Sequence, residues 1–176
     1  MSYRIEQLNA FELCGLSTVI KGSMTPAKFL KQTHKNGKLN KLYKDLGIEL
    51  IPEDAPCTPH EPKSLFFALY DYKESNIFTY MICYDIPKSG TPPGYSTLSV
   101  PGLTWAVFSS PEDPGADPTV QCERAWSQVP EWFASSNYEY ACGPELEKGY
   151  NLGNMNFKYE VWIPVVKKRA NERSLL

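Results

Sequence analysis

The sequence predicts an α+β fold: two pseudo-symmetric βαββ units with antiparallel sheets and a ligand cavity between them. Three observations predict it. The order strand, helix, strand, strand is read twice along the 176 residues, as in an internal duplication of elements. Apolar runs of strand length are joined by short polar turns, which favours antiparallel pairing. Proline-rich segments near 51–63 and 87–94 mark loops, because proline has no backbone N–H to donate.

Taken in order, residues 3–20 read as a strand pair or one long bent strand, interrupted at Asn9-Ala10 and Gly15. Thr25 then offers an N-cap side chain and Pro26 a preset φ at the first helical position. Phe29, Leu30 and Thr33 mark one helical face, Asn36-Gly37 threatens a break, and Leu39, Leu42, Tyr43 and Leu46 resume the spacing up to Gly47. Ser64–Tyr72 and Phe78–Ile86 form a hairpin about Lys73-Glu74-Ser75-Asn76. The second half repeats the order. Tyr95–Val100 and Leu103–Ser109 are strands, and a helical pattern runs from Val120 to Phe133 with a kink or a restart expected at Pro130. Strands around Tyr138–Cys142 and Phe157–Val166 follow, separated by a Gly/Asn-rich turn. The expected organisation is one domain over 1–166, with units of about 1–90 and 91–166, and a flexible tail at 167–176.

Composition narrows the function. The 42% hydrophobic content can bury one sizeable core, and the net charge of −2 gives no footprint for nucleic acid. A basic cluster, Lys167-Lys168-Arg169 with Arg173, falls in the tail. No apolar run approaches the ~20 residues that span a bilayer, and no signal-peptide pattern opens the chain. Five widely spaced cysteines without a CxxC, and two histidines, argue against a metal site or a disulfide framework. A reducing, cytoplasmic compartment fits, and no metal or cofactor is expected.

The chemistry centres on Lys158-Tyr159-Glu160-Val161-Trp162-Ile163-Pro164. Alternation along a strand puts Glu160 and Trp162 on one face and Tyr159, Val161 and Ile163 on the other. A glutamate beside a tryptophan in an otherwise apolar strand is either a solvated surface pair or the acid of a partly dry pocket. The 13% aromatic content supplies walls for such a pocket. Candidates are Trp162, Trp105, Tyr80 and Tyr84, each of which core packing would also explain.

Several runs carry a family resemblance: Leu98 to Phe108, Trp132 to Glu139, Gly143 to Glu147, and Tyr159-Glu160-Val161-Trp162-Ile163-Pro164-Val165. More loosely, Phe66 to Tyr72 and Phe78 to Tyr84 look like a first hairpin. Together they resemble the GyrI-like effector-binding domains, found also as the ligand-binding half of AraC- and MerR-type multidrug-responsive regulators. The resemblance implies a cavity between two units that takes bulky aromatic or cationic molecules, with Glu160 as the pocket acid. The chain opens on the first strand with no helix-turn-helix ahead of it, which implies a sensor or sequestering protein without direct nucleic-acid binding. One departure is an extra residue before Tyr150.

Two other functions are expected as alternatives. Some relatives hydrolyse reactive ring compounds; Glu160 would then be the general base, with Tyr80 or Tyr84 as partner. Others inhibit DNA gyrase, for which the acidic loop of Glu112, Asp113 and Asp117 is a contact surface.

Overall fold

The computed structural model describes residues 2–45, 66–74, 76–111, 113, 118–151 and 157–169. The loop expected at 51–63 and the C-terminal residues from 170 lie outside them. Among these residues, nine strands make one antiparallel sheet: β1 (Tyr3–Leu8), β2 (Phe11–Ile20), β3 (Phe66–Glu74), β4 (Ile77–Asp85), β5 (Ser96–Val100), β6 (Leu103–Ser109), β7 (Tyr138–Tyr140), β8 (Glu145–Asn151) and β9 (Phe157–Lys167). Four helices accompany it: α1 (Pro26–Lys35), α2 (Lys38–Asp45), α3 (Pro118–Trp126) and α4 (Gln128–Ser135). The spatial order is β1-β6-β9-β8-β3-β4-β2-β5, with β7 beside β9.

That order contains the expected duplication. Read outward from the centre, β3-β4-β2-β5 mirrors β8-β9-β6-β1, so the halves share one continuous sheet joined where β3 pairs β8. β1 and β2 flank Asn9-Ala10, while β5 and β6 flank Pro101-Gly102. Each strand of one pair hydrogen-bonds one of the other. Residues 3–20 are therefore one strand bent across the molecule, as the sequence allowed.

Local chemistry sets the helix boundaries. Thr25 Oγ1 accepts from the Lys28 N–H at 3.1 Å, satisfying a donor that the first turn leaves open. Asn36 closes α1, and Gly37, at φ +74°, turns the chain into α2. Pro130 sits in the first turn of α4, where its missing N–H costs nothing.

Parity divides the core into three clusters. Cys14, Leu16, Ile20, Tyr80, Ile82 and Tyr84 face α1 and α2, packing on Phe29, Leu39 and Leu42. Ala106, Phe108, Val161, Ile163 and Val165 face α3 and α4, packing on Ala125, Val129 and Trp132. Leu13, Ala68, Met81, Cys83, Val107, Leu146 and the pair Trp105 and Trp162 form the third cluster on the opposite sheet face. Both helix pairs thus cover the same face, one on each half.

One strand departs from the expectation. The segment read as a Gly/Asn-rich turn contains β8, which pairs β3 and β9 and joins the two halves. β7 and β8 run along the same edge of β9, β7 opposite Val165–Lys167 and β8 opposite Phe157–Trp162, broken at 141–144. The expected strand at 138–142 is the first half of this broken strand.

Candidate functional site

The central strands position two sets of charged side chains on opposite faces. On β9, Glu160 is 2% exposed. Its carboxylate accepts from Arg4 in bidentate fashion, Nη1 at 2.7 Å and Nη2 at 3.0 Å. Ser109 Oγ at 3.2 Å and Trp162 Nε1 at 3.1 Å complete the cage. Lys158 Nζ stands 3.4 Å away. The Arg4 guanidinium also lies 5.4 Å over the Trp162 ring. Its pKa is raised, first by the hydrogen bond to Glu160. Planar bidentate geometry of this kind is the strongest way to compensate a buried carboxylate.

Trp105 and Trp162 meet edge to face at 6.2 Å. Tyr80 and Tyr84 do not join them. Strict alternation on β4 sends both tyrosines to the helix-covered face. Tyr80 stacks on Phe67 at 6.0 Å and meets Phe29 edge-on at 6.3 Å. Tyr84 meets Tyr95 edge-on. The structure therefore groups Glu160, Trp162 and Trp105 on one face of the sheet and places Tyr80 and Tyr84 on the other, with the sheet between Glu160 and either hydroxyl. Of the acidic loop, only Asp113 is described, where it pairs with Arg124.

The helix-covered face carries a second acidic centre. On β8, Glu145 and Glu147 alternate with Leu146; Glu145 is opposite Leu69 and Glu147 opposite Phe67 on β3. They stand about 7 Å apart along the strand, over the seam between the halves. Glu147 is half-buried, and its Oε1 accepts from Trp126 Nε1 at 2.8 Å. The Cys122 thiol interacts with the same carboxylate. Glu145 Oε2 accepts from the Tyr72 hydroxyl at 2.5 Å. Strict alternation would put Tyr72 with Tyr70 on the far face. A bulge between Tyr70 and Glu74, with Asp71 at φ +54°, turns it back.

The electrostatics of the two centres differ. Among the described residues, every donor to Glu147 and Glu145 is neutral, and no lysine or arginine pairs with either. Burial raises the pKa of both carboxyls, the hydrogen bonds oppose it, and the charge of Glu145 raises Glu147 further. Burial and the charge of Glu147 also raise the Tyr80 hydroxyl and the Cys122 thiol, holding both protonated. The result is an undercompensated carboxylate pair beside Phe67, Tyr80, Trp126 and Tyr72, on the helix-covered face at the seam between the halves. The sequence reading passed over this centre because it took 143–156 for a turn. The Glu-Leu-Glu alternation was the available signal.

Among the described residues, no cluster of His, Cys, Asp and Glu could hold a metal ion, and no helix is long and apolar enough to cross a membrane.

Comparison with known proteins places the fold. Residues 4–165 match the profile of the Cass2 family, described as integron-associated effector binding protein. No curated protein sequence matches the chain. Among solved structures, a putative bacterial transcription regulation protein from Staphylococcus aureus Mu50 is 16% identical, with a TM-score of 0.66, covering 94% of this chain and 98% of the other. SAV2435 bound to tetraphenylphosphonium is 14% identical, with a TM-score of 0.67 and 94% of both chains covered. An integron cassette protein of Vibrio cholerae is 18% identical, with a TM-score of 0.54, covering 93% of this chain and 95% of that one. At these identities the likeness establishes a shared GyrI-like fold.

Proposed function

We propose, on the premise that the chain belongs to the Cass2 family of integron-associated effector-binding proteins, that it binds bulky aromatic cations over the β3–β8 seam. In this reading it serves as an effector sensor or sequestering protein, and Glu147 supplies the charge. The observation that carries the reading is the contrast between buried Glu160 and half-buried Glu147. Glu160 already holds a guanidinium, so a guest cation there would have to displace Arg4. Glu147 has neutral donors only and aromatic neighbours.

An organic cation brought to about 5 Å of a carboxylate gains roughly 3 kcal/mol at an effective dielectric near 20. Ring faces add about 0.5–2 kcal/mol each through cation–π attraction. Tetraphenylphosphonium, the ligand of SAV2435, combines both features and is the natural probe. Glu160 is assigned a different task, fastening β1 to β9 through Arg4.

Isothermal titration of the wild type and Glu147→Gln with tetraphenylphosphonium and neutral triphenylphosphine oxide tests the proposal. The expected result is at least tenfold weaker binding of the cation in the variant, with the neutral compound unaffected. Equal loss for both compounds would remove the electrostatic role.

A further inference from the structure

The near-zero net charge conceals a strong segregation. Seven of the eighteen Lys and Arg residues, Lys21, Lys28, Lys31, Lys35, Lys38, Lys41 and Lys44, fall within residues 21–44, which contain no Asp or Glu. The rest of the chain holds eleven basic residues against twenty acidic ones. All seven lysines are exposed. At 100° per residue, Lys28, Lys31 and Lys35 occupy one narrow stripe of α1, roughly opposite buried Phe29 and Thr33. Their spacing along the axis is about 4.5–6 Å. Lys38, Lys41 and Lys44 repeat every third residue along α2. Lys41 lies 4.8 Å over the Tyr95 ring, and Lys28 Nζ reaches the Ser23 carbonyl. Among the described residues, none of Lys21, Lys28, Lys31, Lys35, Lys38 and Lys44 is paired with a carboxylate.

The character of the stripe selects its partner. Among the side chains described there, no large hydrophobic one between 21 and 44 is exposed, so the stripe is poor in the aromatic or aliphatic anchors that dominate protein interfaces. Lysine is itself depleted in such interfaces. A membrane-surface helix would present apolar residues beside its basic ones, whereas the apolar face of α1 and α2 is committed to the core. What remains is a set of exposed lysines, spaced about 4.5–6 Å along the α1 axis, whose charge complements a polyanion.

We propose that the α1–α2 lysine stripe is a docking surface for the phosphate backbone of duplex nucleic acid, engaged without base readout. The expectation of no nucleic-acid partner rested on the absence of a helix-turn-helix and on the whole-chain charge, which averages this stripe against acids placed elsewhere.

The test is fluorescence anisotropy of the full chain against a labelled 20-base-pair DNA duplex of arbitrary sequence, between 25 and 200 mM salt. About four phosphates neutralised would give a log–log salt slope near −3.6 and micromolar binding at the low-salt end. The Lys31→Glu/Lys35→Glu/Lys38→Glu variant, confirmed folded by circular dichroism, should bind at least tenfold more weakly with a flatter slope. The corresponding Gln variant should fall between. No binding at 25 mM salt, or undiminished binding by the Glu variant, would overturn the proposal. Capture by phosphatidylserine vesicles at lower protein concentration than the duplex requires would overturn it in favour of a membrane surface.

Discussion

Glu147 and Glu160 show how one residue type takes opposite roles under different neighbours. Burial and the charge of Glu145 lift the Glu147 carboxyl above its ordinary value of 4.5, against the hydrogen bonds from Trp126 and Cys122. The fold therefore holds this proton more tightly than the unfolded chain does. Its contribution to stability is complete below pH 4.5 and is lost as pH rises through the raised value. Cation binding needs the anion and runs the other way. Tetraphenylphosphonium affinity should climb as pH rises above 4.5 and then level off, and a pH series of titrations on Glu147→Gln should be much flatter. Glu160 is tested differently. Replacing Arg4 with Ala leaves a 2% exposed carboxylate with Lys158 as a more distant cationic neighbour. Loss of a fully buried partner costs about 3–5 kcal/mol. Because the Arg4 side chain is 40% exposed, the expected cost in urea denaturation is smaller, about 2 kcal/mol. Strand alternation made it legible that Glu160 and Trp162 share a face, while the inward placement of that face was legible only through the family resemblance. The partner of Glu160 was illegible, because Arg4 lies 156 positions away and only the β1–β6–β9 pairing brings them together.

Among the elements, those written in local chemistry were readable: the Thr25-Pro26 helix start, the Asn36-Gly37 break, the hairpin of β3 and β4, and the restart near Pro130. β8 was not. Its residues Glu145, Glu147, Lys148 and Gly149 disfavour strands, and Leu146 is its one apolar residue wholly inside the core. It becomes a strand because β3 and β9 supply hydrogen-bonding edges on both sides, so tertiary pairing overrides propensity. Gly15 shows the reverse, a sequence signal whose cause only the packing reveals. Read as an interruption, it lies within the paired part of β2, where a Cβ would fall 1.9 Å from the Ile82 carbonyl oxygen. The obstacle is backbone, so Gly15→Ala should destabilise the fold by about 3 kcal/mol. A urea midpoint unchanged from the wild type would mean that β2 and β4 can separate without cost.

In the whole molecule, the repeated order of elements correctly anticipated two similar halves. What it did not reveal is that they share one sheet, with both helix pairs on the same face. That arrangement puts Tyr80 with Glu147 and apart from Glu160, and the proposed site lies at the seam on the helix-covered face. A crystal structure of the complex with tetraphenylphosphonium tests this most directly, because the phosphorus atom can be located relative to both carboxylates. The account predicts phosphorus over the β3–β8 seam, within about 6 Å of the Glu147 carboxylate, with phenyl rings against Tyr80 and Trp126 and the Arg4–Glu160 pair intact. Phosphorus on the opposite face, against Glu160 and Trp162 with Arg4 displaced, would contradict it.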